Sequence, residues 1–190
     1  MVRSPRLIAT LMETKVTQEA MHQIETELQR EQPNTTPVVI CVAPNGARRT
    51  KKDHASLPMT PAELAAEALA CADAGASVIH LHVRTDDGKH SLDVQRYRTA
   101  IEHIRRTAPE RLLIQVTTEA VGIYQPSEQI AVVKELRPHA ASVAISELIP
   151  DMATRGQAVD FFHWCADRDV ALQFIVYSPV ADARPGTQTE

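Results

Sequence analysis

The chain has 190 residues, 44% of them apolar and 23% charged, with 20 Lys and Arg against 24 Asp and Glu for a net charge of −4. That is the composition of a single soluble globular domain. An acidic chain without a basic block is a poor nucleic-acid binder. No apolar run approaches the roughly 20 residues that cross a bilayer, so no membrane partner is expected.

Residues 1–36 read as an N-terminal helical arm. Val16, Ala20, Met21, Ile24 and Leu28 recur at helical spacing. The polar stretch 32–37 breaks the pattern. From 37 to 178 strands and helices alternate. The apolar run 38–43 predicts a strand buried on both faces. A helix follows over 61–74, with Thr60 as cap, Pro61 at its first position, Glu63 completing a capping box and Gly75 ending it. Residues 77–83 form the second strand, and Asp86-Asp87-Gly88 the turn after it. A second helix over 92–107 stops before Pro109. Then come a strand at 111–117, a helix at 129–136, a strand at 142–145, a helix at 153–168 and a strand at 170–177. Residues 179–190 read as an irregular tail.

This alternation implies right-handed crossovers and a parallel sheet. Two architectures fit. One is a TIM-type (β/α) barrel of about five units, incomplete beside the usual length of about 250 residues. The other is an open doubly wound parallel sheet. Cys41, Cys71 and Cys165 are odd in number and widely spaced, which points to a reducing, cytoplasmic setting and to buried, inert thiols.

The strongest chemical signal is Val78-Ile79-His80-Leu81-His82-Val83-Arg84. A strand repeats every two residues, so His80 and His82 point to one side, about 7 Å apart along the backbone, with Leu81 opposite. Two imidazoles so placed at the C-terminal end of a parallel strand can converge on one cation. Zinc is favoured, with iron, nickel or copper as alternatives. The loop 43–50 after the first strand holds Asn45, Gly46 and the cations Arg48 and Arg49. Gly46 allows a tight turn close to a ligand, and an arginine can grip a carboxylate or phosphate in bidentate fashion. Thr117-Thr118-Glu119 closes the third strand and Ser146-Glu147 the fourth. Hydroxyls there can bond a substrate carbonyl, and a carboxylate can act as ligand or as acid and base. His90, His103, His139 and His163 fall in helices or turns.

Together these segments resemble the β-keto acid cleavage enzymes, whose founding activity is 3-keto-5-aminohexanoate cleavage. The matching residues run from Val38-Val39-Ile40 and Asn45-Gly46-Ala47 through Leu57-Pro58-Met59-Thr60-Pro61-Ala62-Glu63 and Ala74-Gly75-Ala76. They continue in His80-Leu81-His82-Val83-Arg84, in Asp86-Asp87-Gly88 and in Ile114-Gln115-Val116-Thr117-Thr118. The resemblance implies a β/α barrel that binds zinc through the two histidines and a glutamate from a late strand. It implies condensation of a β-keto acid with acetyl-CoA as co-substrate, then cleavage to acetoacetate and a new acyl-CoA. On this basis His80 and His82 are the metal ligands and Thr117 falls where the family has a hydroxyl contacting substrate. With Glu147, placed at the end of the fourth strand, Thr117 is a catalytic candidate; Glu147 or Glu119 could replace the family's late glutamate ligand, and Asn45, Gly46, Arg48 and Arg84 are the substrate-binding candidates.

Three departures bear on function. Arg48 aligns where the founding enzyme has a glutamate that meets its substrate's amine, which implies an anionic or polar side group instead. Leu172-Gln173-Phe174-Ile175-Val176 stands where the family shows alternating glutamates. Family barrels continue for roughly three more β/α units, consistent with the usual barrel size. A five-strand barrel would leave open edges, so homo-oligomerisation and little cleavage by this chain alone are expected. The alternatives are an inactive or partner-dependent barrel fragment and a metal-dependent hydrolase.

Overall fold

In the computed structural model, residues 38–177 are described. The expected N-terminal helix and the C-terminal tail lie outside them. The elements in chain order are β1 (Cys41–Val42), α1 (Pro61–Asp73), β2 (Val78–Leu81), β3 (Val83–Arg84), β4 (His90–Ser91), α2 (Val94–Thr107) and β5 (Leu113–Thr117). They continue with α3 (Pro126–Leu136), β6 (Ala140–Ala144), α4 (Ile145–Leu148), α5 (Arg155–Ala166) and β7 (Ala171–Ile175).

Five strands form one sheet in the order β1-β2-β5-β6-β7, every pair parallel. This order decides between the two architectures. A doubly wound sheet reverses its strand order at a switch point and covers both faces with helices. Here spatial order equals chain order, and successive helices touch in one layer: α1 on α2, α2 on α3, and α3 on α4 and α5. The chain is therefore a curled portion of a (β/α) barrel, with helices outside and the opposite sheet face lining the barrel interior.

Alternation along the strands sorts the side chains. Ile79, Leu81, Ile114, Val116, Ala141 and Val143 face the helices and are buried. They pack against Leu64, Ala68 and Ala72 of α1, Tyr97, Ala100 and Ile104 of α2, Val133 of α3 and Phe161 of α5 in one continuous core. The other face carries His80, Gln115, Thr117, Ser142 and Gln173. A barrel interior this polar is a site rather than a core.

Local chemistry explains the helix boundaries. At α1 the Thr60 hydroxyl accepts from the Glu63 backbone N–H, and the Glu63 carboxylate accepts from the N–H groups of Thr60 and Met59. Gly75 follows the last turn at φ +100°, where a side chain would be strained. Asp93 caps α2 by accepting from the Arg96 N–H.

Four expectations are corrected. The run 38–43, expected as a strand buried on both faces, contains only the two-residue strand β1, and Val38, Val39 and Ile40 are exposed. The strand read as 77–83 is two: β2 ends at Leu81, and β3 turns out of the sheet to pair antiparallel with β4. The segment 145–148 is a separate short helix, because the chain turns immediately after β6. Of the three thiols only Cys165 is buried. Cys71 is partly covered, and Cys41 is exposed because it sits on the interior face of β1, an edge of the sheet among the described residues.

Thr60→Ala removes one half of the capping box and should lower unfolding stability by about 1 kcal/mol. Urea unfolding of the two chains, with an unchanged slope and a lower midpoint for the variant, is the check.

Candidate active site

His80 and His82 do face the same side, and their geometry is specific. Their Nε2 atoms lie 3.1 Å apart, with ring centroids separated by 4.9 Å. The rings lean together from strand positions whose backbones are further apart. Two nitrogens on one tetrahedral zinc, each about 2.05 Å from it, stand about 3.3 Å from one another. The pair thus presents two ring nitrogens at nearly the separation a shared cation requires.

The partners of each ring decide which of its nitrogens is engaged. His80 Nδ1 is 2.6 Å from the side-chain oxygen of Gln115. An amide oxygen carries no hydrogen, so the His80 ring donates from Nδ1, and in its neutral form it then has its lone pair on Nε2. His82 is 3% exposed. Burial holds its pKa down at about 3, helped by its neighbours His80, His90 and Arg84. His82 Nδ1 has no hydrogen-bond partner. The Glu119 carboxylate stands 3.9 Å from it, too far for a hydrogen bond, and a neutral ring makes no ion pair there.

The hairpin of β3 and β4 brings a third imidazole into this group. His90 sits in a strand, not in a helix or turn as expected from the sequence, and pairs with Arg84. Its ring centroid is 5.2 Å from that of His82, and its Nε2 is 3.0 Å from the Glu119 carbonyl. Burial lowers its pKa to about 4. Only the hairpin register carries His90 back beside His82, and no residue spacing signalled it.

The other site candidates divide by what they touch. Asn45 is buried and donates through Nδ2 to the His82 carbonyl at 3.0 Å, while its Oδ1 has no partner. It fixes the backbone of the histidine strand and offers one acceptor to the interior. Arg84, expected on the substrate, clamps backbone through its terminal nitrogens and keeps its buried Nε without a partner. It donates to the carbonyls of Gly46 (2.6 Å), Arg49 (2.9 Å), Asn45 (3.4 Å) and Gly88 (2.8 Å). Gly46, at φ +57°, provides the turn that aims its carbonyl at this guanidinium. Arg48 and Arg49 both turn toward solvent; Arg48 lies 3.8 Å from the Glu119 carboxylate beside the histidines, whereas Arg49 pairs with Asp53 at 3.4 Å.

Thr117 is buried at the end of β5, and its Oγ1 accepts from the Glu119 N–H at 3.1 Å. Glu147 does not reach the histidines. Its carboxylate accepts from the Ala120 N–H at 3.0 Å and so holds the loop that carries Glu119. Glu119 is the carboxylate beside the histidines. Burial and the neighbouring Glu147 raise its pKa, against the pull of Arg48, His80 and Arg84. Below the site Tyr97, wholly buried, donates toward the carbonyls of Thr117 (3.1 Å) and Leu81 (3.4 Å), tying the ends of β5 and β2 together.

Among the described residues no three His, Cys, Asp or Glu side chains are grouped to hold a metal. The two imidazoles fit a cation. A third protein ligand is not assembled with them, since Glu119 faces the far nitrogen of His82. The fold and site together define a (β/α)-barrel protein with a histidine pair on the interior end of its second strand.

Residues 37–181 match the beta-keto acid cleavage enzyme family, and the chain belongs to it. It is 38% identical over 117 residues to a 3-keto-5-aminohexanoate cleavage enzyme of Fusobacterium nucleatum, covering 62% of this chain and 38% of that one. It is 32% identical over 132 residues to a 3-oxoadipate:acetyl-CoA acetyltransferase of Cupriavidus necator, covering 70% of this chain and 45% of that one. The chain therefore spans less than half the length of these relatives. Among solved structures, ObcA in binary complex with oxaloacetate superposes with a TM-score of 0.51 at 16% identity, over 63% of this chain and 31% of that chain, a likeness of fold alone.

The buried neutral histidines make stability depend on pH. Unfolded, His82 and His90 take up protons near their ordinary 6.5, whereas folded they resist until about 3 and about 4. The unfolded chain then binds more protons, so stability is full above pH 6.5 and falls as the pH drops from 6.5 toward 4. Carboxylates held low by ion pairs, such as Glu63 at about 2, add their loss only below their ordinary 4.5. Urea midpoints measured from pH 7.5 to 4.5 should decline below 6.5, and His90→Gln should flatten that decline. A flat wild-type profile would contradict the neutral buried rings.

Proposed function

We propose that this chain supplies the metal-binding side of an active site that joins a β-keto acid to acetyl-CoA and splits the adduct into acetoacetate and a new acyl-CoA. The observation carrying this reading is the pair of Nε2 atoms of His80 and His82, 3.1 Å apart on the barrel interior. When bound there, a zinc-type cation supplies Lewis-acid polarisation of the keto acid's carbonyl. The chain's own residues do the rest. His80 and His82 hold the cation. Asn45 and Tyr97 lock the strand that carries them. The Thr117 hydroxyl, with its oxygen already accepting from Glu119 N–H, directs its proton to a substrate oxygen. Glu147 steadies the Glu119 loop, and Glu119 is the nearer acid–base group.

Arg48 sets the substrate class. Its charge lies beside Glu119, whereas the terminal nitrogens of Arg84 are held by backbone carbonyls. A cation there repels an amine and attracts a second carboxylate. The 3-oxoadipate in the name of the Cupriavidus necator relative is a keto acid of that kind.

Zinc content of the purified chain tests the site. Wild type should take up one zinc per chain, and His80→Ala and His82→Ala should each lose it. Equal uptake by all three would end the metal reading. Calorimetry with the zinc-loaded chain should show a keto acid with an anionic side group binding at least tenfold tighter than one bearing an amine, with Arg48→Glu reversing the order. Acetoacetate formation, assayed alongside, separates acyl transfer from hydrolysis.

A further inference from the structure

The interior face carries a second arrangement that the histidine pair does not explain by itself. Gln115 is buried in the middle of β5, level with His80 on the neighbouring strand. Its oxygen faces His80 Nδ1 at 2.6 Å, and its Nε2 donates to the side-chain oxygen of Gln173 at 2.9 Å. Gln173 lies on β7, two strands away from β5. The intervening strand β6 places Ala140 level with Gln115 and Ser142 level with Gln173. These small side chains leave room for the two amides to meet across it. A row of hydrogen bonds therefore runs from β7 through β5 to β2.

The direction of this row matters. A glutamine amide turned by 180° would present N–H groups to His80. That ring would then accept at Nδ1, carry its proton on Nε2, and have no lone pair toward His82. Turning Gln115 alone would set its oxygen against that of Gln173, so the turn requires the exposed Gln173 amide to turn with it. A buried amide with both ends bonded is also costly to flip, since each lost partner leaves a desolvated polar atom.

We infer that Gln115 is a positioning residue: anchored by Gln173 across Ala140, it locks His80 with its proton on Nδ1, so that Nε2 keeps the lone pair a cation needs. This rests on the metal reading above for its purpose, but the tautomer itself does not. An amide in this place orients the ring without adding charge, as carbonyl partners of ligating histidines do. In this chain it takes two glutamines from separate strands to do so.

The tautomer and the affinity are measured separately on the full chain. Two-bond proton–nitrogen NMR correlations of the metal-free protein report which His80 nitrogen carries the proton. Zinc competition against a chromophoric chelator gives the affinity. Wild type should show His80 protonated on Nδ1. Gln115→Leu should shift the population toward Nε2–H and weaken zinc binding 10- to 100-fold. Gln115→Glu, which keeps an acceptor, should restore the Nδ1–H form. Gln173→Leu, at an exposed position that leaves the fold intact, should shift the tautomer in the same direction by a smaller amount.

If wild-type His80 carries its proton on Nε2, or if neither Gln115→Leu nor Gln173→Leu moves it, the inference fails even though zinc binds. If the tautomer behaves as stated and no zinc binds, the relay stands and the metal reading fails.

Discussion

The site depends on one geometric constraint: a parallel strand that shows alternate residues to opposite faces. Leu81 must enter the helix-facing core, where it is fully buried beside Ile79 and Val116. That obligation turns His80 and His82 to the interior together. Were the register to slip by one residue, the imidazoles would be forced under the helices and a leucine would stand in the site. Core packing and metal competence are thus set by the same register.

Around this strand the chain builds a support made largely of backbone contacts. Arg84 gathers four carbonyls from the loop after β1 and from the turn at Gly88. Asn45 bonds the His82 carbonyl, and Tyr97 ties β2 to β5. Hydrogen bonds from charged or buried donors to backbone cost much when broken. The loop bearing Arg48 is therefore held in register with the strand bearing the histidines. A substrate group read by Arg48 and a carbonyl held near the histidines would be measured against one rigid frame.

Much of this was legible beforehand where the signal is local. The alternation of His80, Leu81 and His82, the capping box at Thr60 and Glu63 and the β/α rhythm depend on residues within a few positions of each other, and each was recovered. Features that depend on a third dimension were not. His90 reads as a helix or turn residue, because nothing in its neighbourhood reveals that a two-residue strand pairs it with Arg84. The backbone contacts of Arg84 are equally hidden in the sequence, because a guanidinium's partners are chosen by the loop folded over it. The absence of the family's alternating glutamates from 172–176 is visible in the sequence, but the contact that Gln173 makes with Gln115 depends on two strands brought within reach of each other.

Ala140 touches neither the histidines nor any substrate group, yet its single methyl decides what passes above it. A valine or leucine there would suit a β-strand as well or better by propensity. It would also stand as a wall between the two amides and let the imidazole two strands away lose its orientation. Restraint on side-chain size at such a position would show itself as a demand for smallness, in a place where inspection of the reacting groups alone gives no reason for one.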